Sequence, residues 1–231
     1  MISIIIPTYN EEDQIEQTII KILASNDGHQ IEIIIADGGS TDETVSIALR
    51  CNAITIMSYK KGRATQMNRG AAIAKGEVMY FLHADSVPPQ NFTSSILKAV
   101  DNNFGSGCFR SSFDYSHWFL KANSFFTRFN VNAFRFGDQS LFVTKDVFQK
   151  SGGFREDLFM MEDQEIIHRL KMHGKFKVLN DVIITSARKY VDNGVFRMQG
   201  IFYRIWGLYY VGYSQEKLLK LHRNLIKNNK L

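Results

Sequence analysis

The stretch from Met1 to Asn10, MISIIIPTYN, decides the fold. Its short run of β-branched apolar residues predicts a buried first strand over 3–6. The first hundred residues then alternate strand and helix patterns, which predicts a parallel sheet with crossover helices. Further strands are predicted over 32–36, 53–57 and 78–82, and helices over 11–25, 41–50 and 62–75.

Beyond Asp85 the pattern is looser and includes an aromatic-rich stretch over 115–136, and this half of the chain is expected to shape an acceptor side. Helices are predicted over 90–102, 145–151 and 162–173, and strands over 108–113, 141–143, 176–179 and 182–184. With no repeat and no linker, we expect a single α/β domain whose mixed, mainly parallel sheet is flanked by helices. We expect a nucleotide-binding half over 1–100, an acceptor half over 101–190, and a helical extension over 191–231 packed on the same domain.

Composition excludes several classes of function. The 231 residues are 45% hydrophobic and carry a net charge of +5, too weak and too dispersed a basic excess to indicate a nucleic-acid partner. Cys51 and Cys108 form no CxxC pair, so neither a disulfide framework nor a structural zinc site is indicated. The N-terminus lacks the features of a signal peptide, and 205–213 is too short to span a membrane. These features predict a cytoplasmic protein.

Three polar clusters directly follow predicted strands, over 7–11, 37–42 and 83–85. The carboxyl ends of parallel strands frame a common crevice, so we expect the clusters to converge. Gly38 and Gly39 allow close backbone approach to a ligand, and Asp37 can accept hydrogen bonds from a base or ribose. Taken alone, the second cluster is more typical of an ordinary turn that ends in a helix cap.

The usual phosphate-binding loops are missing, since neither GxxxxGK[ST] nor GxGxxG follows the first strand. A bound diphosphate must therefore be neutralised in another way. Asp85, at the end of a hydrophobic strand, is placed to hold Mg²⁺ or Mn²⁺, whose coordination substrate phosphates often complete.

The ordered segments IIIPTYNEE, ADGGSTDET, FLHAD and MEDQE resemble glycosyltransferase family 2, the inverting enzymes of GT-A (Rossmann-like) fold, over roughly the first 170 residues. The resemblance implies transfer of a sugar, of hexosyltransferase type, from a UDP- or GDP-sugar to a hydroxyl acceptor that the sequence does not identify. The residues it assigns to nucleotide binding are Pro7, Thr8, Glu11 and Asp37. Gly39 is a further candidate for nucleotide binding.

The family's metal-binding DxD corresponds here to His83-Ala84-Asp85. Asp85 is therefore the expected ligand of Mn²⁺ or Mg²⁺. His83, in the place of the first acid, either ligates through a neutral ring nitrogen or orients Asp85.

Two further motifs extend the resemblance. Gly62-Arg63-Ala64 followed by Gln66-Met67-Asn68-Arg69-Gly70 is similar to the subgroup of arsenosugar-biosynthesis-like glycosyltransferases. Arg63, near a helix start, is expected to meet the diphosphate, although a surface arginine fits the same pattern.

Glu162-Asp163 resembles the family's ED motif, in which the Asp is the general base. An inverting transfer needs a carboxylate beside the attacking hydroxyl, so Asp163 is the candidate base. The alternative is an acidic pair that only stabilises the start of a helix.

Weaker assignments to sugar, acceptor or phosphate concern Asp138, Gln139, Glu162, Arg169 and Arg188. The segment 196–213 combines aromatic residues with arginines and leads into a lysine-rich end. It is expected to pack on its own domain or on a second copy, and peripheral membrane contact is the alternative. Rival functions are a degenerate nucleotide-sugar-binding protein, because of His83, and a nucleotidyltransferase, although PTYNEE is not that class's glycine-rich loop.

Overall fold

The computed structural model describes residues 1–60, 62–132, 135 and 139–227. Its strands are β1 Ile2–Thr8, β2 Ile31–Asp37, β3 Ile54–Met57, β4 Val78–Phe81, β5 Ser86–Val87, β6 Phe104–Phe113, β7 Leu141–Thr144 and β8 Lys175–Thr185. Its helices are α1 Ile15–Ser25, α2 Thr44–Arg50, α3 Arg63–Ile73, α4 Phe92–Asp101, α5 Trp118–Phe126, α6 Lys145–Ser151, α7 Glu162–His173, α8 Arg188–Asn193, α9 Val195–Tyr210 and α10 Gln215–Leu225.

These strands form one sheet in the order β3-β2-β1-β4-β7-β6-β8-β5. The four strands of the first half are parallel to one another, and β8 is parallel to β6. Strand β7 is antiparallel to both of its neighbours, and β5 pairs antiparallel with β8 at the edge. The predicted α/β domain with a mixed, mainly parallel sheet is therefore confirmed.

The first strand is buried on both faces, as its isoleucine run predicts. Ile2, Ile4 and Ile6 belong to a core cluster that includes residues of α1, α2 and α4. Ile5 belongs to the cluster on the opposite face, which includes residues of α3, α6 and α7. Helix α3 lies so close to this strand that a Cβ on Gly70 would sit 2.4 Å from Ile5 Cγ2.

Several predicted elements differ from the structure, and three of the differences have a structural reason or concern the site. The two strands predicted over 176–179 and 182–184 are one strand, β8, whose pairing with β6 shifts register between Leu179 and Val182. Helix α1 begins at Ile15 because the backbone N–H groups of Asn10 and Glu12 donate to side chains of the loop after β2, and that of Glu11 donates to the hydroxyl of Thr44, the first residue of α2. The aromatic-rich stretch contains helix α5, which no periodic pattern indicated.

The C-terminal helices share a third core cluster with the rest of the chain. Met198, Ile205 and Leu218 of α9 and α10 pack with Leu120 of α5 and Met160 before α7. The division of the chain at residue 190 stays a prediction. Within the described ranges, no helix has both the length and the apolar character required to cross a bilayer.

Candidate active site

A cavity of about 260 Å³, here called the strand-end cavity, lies where β1, β2 and β4 end. Among the residues predicted for the site, its walls contain Pro7, Thr8, Glu11, Arg63, His83, Asp85 and Arg188. The convergence expected from the parallel sheet is therefore present in the geometry.

The loop after β2 holds itself in place through Asp37. The Asp37 carboxylate accepts hydrogen bonds from the backbone N–H groups of Gly39 and Ser40, at 2.9 and 2.8 Å. It also accepts from the hydroxyls of Thr8 and Ser40. Asp37 is only 1% exposed, and Gly38 rather than Gly39 lines the cavity. The carboxylate thus shapes the loop, and its contact with a bound nucleoside stays a prediction.

Gln66 of α3 joins the two strand ends. Its Nε2 donates to the carbonyl oxygens of Thr8 at 2.6 Å and of Ala36 at 2.9 Å, and its side chain lines the cavity. A Cβ on Gly38 would lie 3.0 Å from this amide nitrogen, so a glycine fits closely here. The sequence contains Gln66 within a quoted motif, but its bridging role depends on contacts between three segments.

The His83-Ala84-Asp85 segment directly follows β4. Thr18 of α1 donates to the Ala84 carbonyl at 2.5 Å, and Ser186 N–H donates to the Asp85 carbonyl at 3.1 Å. These bonds fix the segment with His83 and Asp85 half-buried and both lining the strand-end cavity. Burial, then the charges of Arg63 and Lys189, lower the pKa of the His83 imidazole to about 3.

The described residues contain no group of three or more His, Cys, Asp or Glu arranged to hold a metal ion. The donor set in the strand-end cavity nevertheless fits Mn²⁺ or Mg²⁺. A carboxylate and a neutral imidazole, from Asp85 and His83, are ordinary ligands, and phosphate oxygens of a substrate commonly supply the rest.

Helix α7 begins with the acidic pair. Arg63 Nη2 lies 2.7 Å from Glu162 Oε1, and Glu162 is 1% exposed. Burial and, after it, the neighbouring Glu162 carboxylate raise the pKa of Asp163 to about 7, while Arg63 partly opposes this rise. A carboxyl group that titrates near neutral pH is suited to accept a proton during turnover.

Asp163 lines a second cavity of about 320 Å³, here called the aromatic cavity. Its apolar wall comes from several elements and consists of Phe113, Phe126, Met160, Met161, Tyr190, Phe202, Tyr203, Ile205 and Trp206. Polar groups interrupt this wall, and three of them are linked: Asn123 Nδ2 and the Tyr190 hydroxyl both donate to Gln199 Oε1 at 3.0 Å.

The two cavities have a common wall. Arg63, His83 and Lys189 line both of them. Asp85 therefore lies on one side of this wall and Asp163 on the other. That Asp85 and Asp163 act together in one site stays a prediction.

Two of the weaker assignments concern side chains that are bonded within the fold, so their contact with a sugar, acceptor or phosphate stays a prediction. Gln139 is 1% exposed, accepts from Arg135 at 3.1 Å and donates to the backbone oxygens of Phe109 and Thr127, so its amide is used within the fold. Arg169 pairs with Glu165 through two bonds of 2.7 and 2.5 Å and also donates to the Ser151 carbonyl. It joins α7 to α6. Asp138 lies outside the described residues.

Sequence reasoning missed several wall residues. Lys189, Arg223 and Lys227 line the strand-end cavity, although the basic C-terminal segment predicted only a packed or surface helix. The amphipathic pattern of α10, with Leu218 and His222 buried, was the available signal that this helix packs inward. The sequence alone gave no indication of what it packs against.

Comparisons with known proteins agree with this geometry. The model of the family described as "Glycosyl transferase family 2" matches residues 3–160. GlyG of Streptococcus pneumoniae is 22% identical over 200 residues, an alignment that covers 83% of this chain and 62% of GlyG. The chain thus spans less than two thirds of the length of that relative.

Solved structures share the fold. The mannosyltransferase PcManGT from Pyrobaculum calidifontis, in complex with GDP-Man and Mn²⁺, superposes with a TM-score of 0.68 at 18% identity, covering 97% of this chain and 69% of that chain. Staphylococcus aureus TarS 1–349, in complex with UDP, has a TM-score of 0.67 at 17% identity, covering 80% and 60%. Because the family model matches well over half of the residues, from the first strand to the segment before α7, this chain belongs to glycosyl transferase family 2.

Proposed function

We propose that this protein transfers a sugar, with inversion, from a nucleoside-diphosphate sugar to a hydroxyl acceptor. One observation carries the proposal: two cavities meet at Arg63, His83 and Lys189, with Asp85 beside one and Asp163 beside the other. A displacement needs the leaving group and the attacking group on opposite sides of the reacting carbon. Two cavities separated by a shared wall support that arrangement.

The charges of the strand-end cavity suit a diphosphate. It is lined by five cationic side chains, Arg63, Arg188, Lys189, Arg223 and Lys227, and three carboxylates, Glu11, Asp85 and Asp192. The excess of positive charge favours a leaving group that becomes more negative as its bond to the sugar breaks. Pro7, Thr8 and Gly38 form the uncharged part of the wall and are proposed to receive the nucleoside.

Asp85 and His83 would hold a divalent cation, for which Mn²⁺ is the first choice because PcManGT was solved with it. The ion would supply further positive charge to the leaving diphosphate. The low pKa of His83 keeps its ring nitrogens available as neutral ligands over the physiological range.

On the acceptor side, we assign Asp163 as general base. As the acceptor oxygen bonds to the anomeric carbon, the bond from that carbon to the diphosphate oxygen breaks, and the acceptor proton moves to the Asp163 carboxylate. Glu162 does not compete for this role because its carboxylate is buried against Arg63. A hexose as the transferred group, the arsenosugar-like subgroup and a cytoplasmic location remain expectations from the sequence.

The decisive experiment separates nucleotide binding from turnover. In Asp163→Asn, release of nucleoside diphosphate from a panel of UDP- and GDP-sugars should fall about 10²–10⁴-fold. The thermal shift caused by UDP or GDP with Mn²⁺ should persist. Asp146→Asn makes the same change at an exposed site on α6 and should leave both properties unchanged.

If the wild-type protein binds nucleotides but turns over no donor, the degenerate binding-protein alternative replaces the transferase. If the protein releases pyrophosphate when it is given a sugar phosphate and a nucleoside triphosphate, the nucleotidyltransferase alternative replaces the transferase.

A further inference from the structure

Helices α5 and α9 expose aromatic side chains on their outer faces. Trp118 is 68% exposed and Phe196 is 58% exposed, and their ring centroids lie 6.0 Å apart. We call the exposed rings of these two helices the aromatic surface, which consists of Trp118, Phe125, Phe126, Phe196, Tyr203 and Tyr210. Isolated exposed aromatics are ordinary, but rings in contact across two helices indicate a surface that is covered during function.

Within helices α5 and α9 themselves, every charged side chain is basic, and exposed Asp114 and Asp192 lie four residues before Trp118 and Phe196. Lys121, Arg128, Arg197 and Arg204 are exposed on or beside α5 and α9. No aspartate or glutamate occurs over 115–132 or 193–215. Aromatic rings combined with cations on the same two helices match the interface of an anionic bilayer, where rings enter the boundary and cations face the headgroups.

The aromatic cavity opens onto this surface. Phe126 and Tyr203 line the cavity, yet they are 45% and 53% exposed. One belongs to α5 and the other to α9, so the mouth lies between the two helices that form the aromatic surface. A molecule held at that surface has an apolar path toward Asp163, which lines the same cavity.

Several buried donors of residues that line the cavity lack a hydrogen-bond partner among the residues that the structure describes. Two of them are Gln164 Nε2, in a residue 2% exposed and next to Asp163, and Trp206 Nε1. Both side chains line the aromatic cavity. Buried N–H groups are costly to leave unpaired, so they favour a ligand that brings oxygen atoms to an otherwise apolar space.

From these features we infer that the acceptor is an amphipathic alcohol resident in an anionic lipid bilayer. The aromatic surface docks on the bilayer, the hydrocarbon part of the acceptor occupies the aromatic cavity, and its polar end meets Gln164 and Asp163. The inference rests on the proposed function, because it assigns the acceptor of that reaction. It requires no spanning helix, since α5 and α9 lie at the surface of the bilayer.

The two tryptophans of the chain test the two halves of the inference separately. Trp206→Phe leaves Trp118 as the reporter of the aromatic surface. With vesicles of phosphatidylcholine and phosphatidylglycerol, its emission should shift to shorter wavelength, and brominated phosphatidylcholine should quench it. Vesicles of phosphatidylcholine alone should give a smaller shift, because the cations lose their partners.

Trp118→Phe leaves Trp206 as the reporter of the cavity. Decanol, the probe for an amphipathic alcohol, should change Trp206 emission in a saturable way, whereas glycerol should not. Gln164→Leu should weaken the decanol effect by removing the buried donor beside Asp163.

The double variant Trp118→Ser/Phe196→Ser should lose vesicle binding. Leu49→Ser, an equally exposed apolar position on α2, should retain it. The thermal shift caused by UDP or GDP with Mn²⁺ is also measured for each variant. If the wild-type protein shows no such shift, the proposed function fails. If the shift is present but vesicles and decanol have no effect, only the inference about the acceptor fails.

Three outcomes would overturn the inference: vesicles that leave Trp118 emission unchanged, decanol and glycerol acting alike on Trp206, or a Trp118 shift that follows protein concentration without lipid. The last would assign the aromatic surface to a second copy of the chain.

Discussion

The strand-end cavity and the aromatic cavity share Arg63, His83 and Lys189, but their remaining walls have opposite chemistry. The first is built from strand ends and cationic side chains, and the second mainly from rings of helices α5, α8 and α9. Under the proposed function, the donor would occupy the first cavity and the acceptor the second. The shared wall would then be the place where the two substrates meet.

The largest effect is expected from Arg63, because it serves both cavities. Arg63→Ala removes a cation from the strand-end cavity and leaves buried Glu162 without its ion pair. We expect kcat/KM for transfer to fall about 10²–10³-fold. The acid limb of the pH profile should also move to higher pH, because Arg63 opposes the rise in the pKa of Asp163.

Steady-state kinetics across the pH range measure both effects of the Arg63 change. Arg63→Lys, which retains the charge but not the planar fork, is the control and should give a smaller loss. A fall in nucleotide affinity with an unchanged pH limb would mean that Arg63 acts on the donor side only.

Asp85 should affect the strand-end cavity alone. Asp85→Asn removes the carboxylate proposed to hold the cation, so affinity for UDP or GDP in the presence of Mn²⁺ should fall roughly 10–100-fold. Isothermal titration with and without EDTA measures this. Chelation should weaken binding to the wild-type protein but not to the variant, and an equal response of both would contradict the assignment. Decanol binding, reported by Trp206, should be unchanged.

How far the sequence predicts this site depends on how each cavity is built. Pro7, Asp37 and Asp85 could be placed together because parallel strands end at one edge of a sheet. Asp163 could be assigned by resemblance. Neither the Gly62-Arg63-Ala64 motif nor the Glu162-Asp163 motif predicts that Arg63 pairs with Glu162. That contact joins the starts of α3 and α7, which are far apart in the sequence.

The aromatic cavity could not be predicted in the same way. Phe113, Tyr190 and Trp206 come from β6, α8 and α9, and no periodic spacing connects them. The sequence shows that the stretch over 115–136 is rich in aromatic residues. Which of these rings line a cavity depends on tertiary packing. Gln139 shows the same limit, because its side-chain amide is bonded to Arg135 and to two backbone oxygens, and the sequence does not predict these contacts.

A smaller effect, on pH dependence, should come from Glu162. Its carboxylate contributes to the raised pKa of Asp163, so Glu162→Gln should lower that pKa and move the acid limb of kcat/KM to lower pH. The ratio of the rate at about pH 6 to that at about pH 8 should therefore increase. Initial rates with saturating Mn²⁺ at each pH provide the measurement. If the limb stays in place, the proton acceptor is a group other than Asp163.

The smallest effect concerns the packing of the two regions. A Cβ on Gly70 would collide with Ile5, whereas a Cβ on Gly207 of α9 would meet nothing within 4 Å. Gly70→Ala should therefore destabilise the protein by about 1–3 kcal/mol. Gly207→Ala should stabilise the protein by about 0.5–1 kcal/mol, because alanine favours a helix interior more than glycine does.

Urea unfolding of both variants, without lipid and at low protein concentration, measures these opposite changes. A loss of stability for Gly207→Ala would mean that the open space beside Gly207 is filled by another part of the protein, and the aromatic surface would then be smaller than inferred.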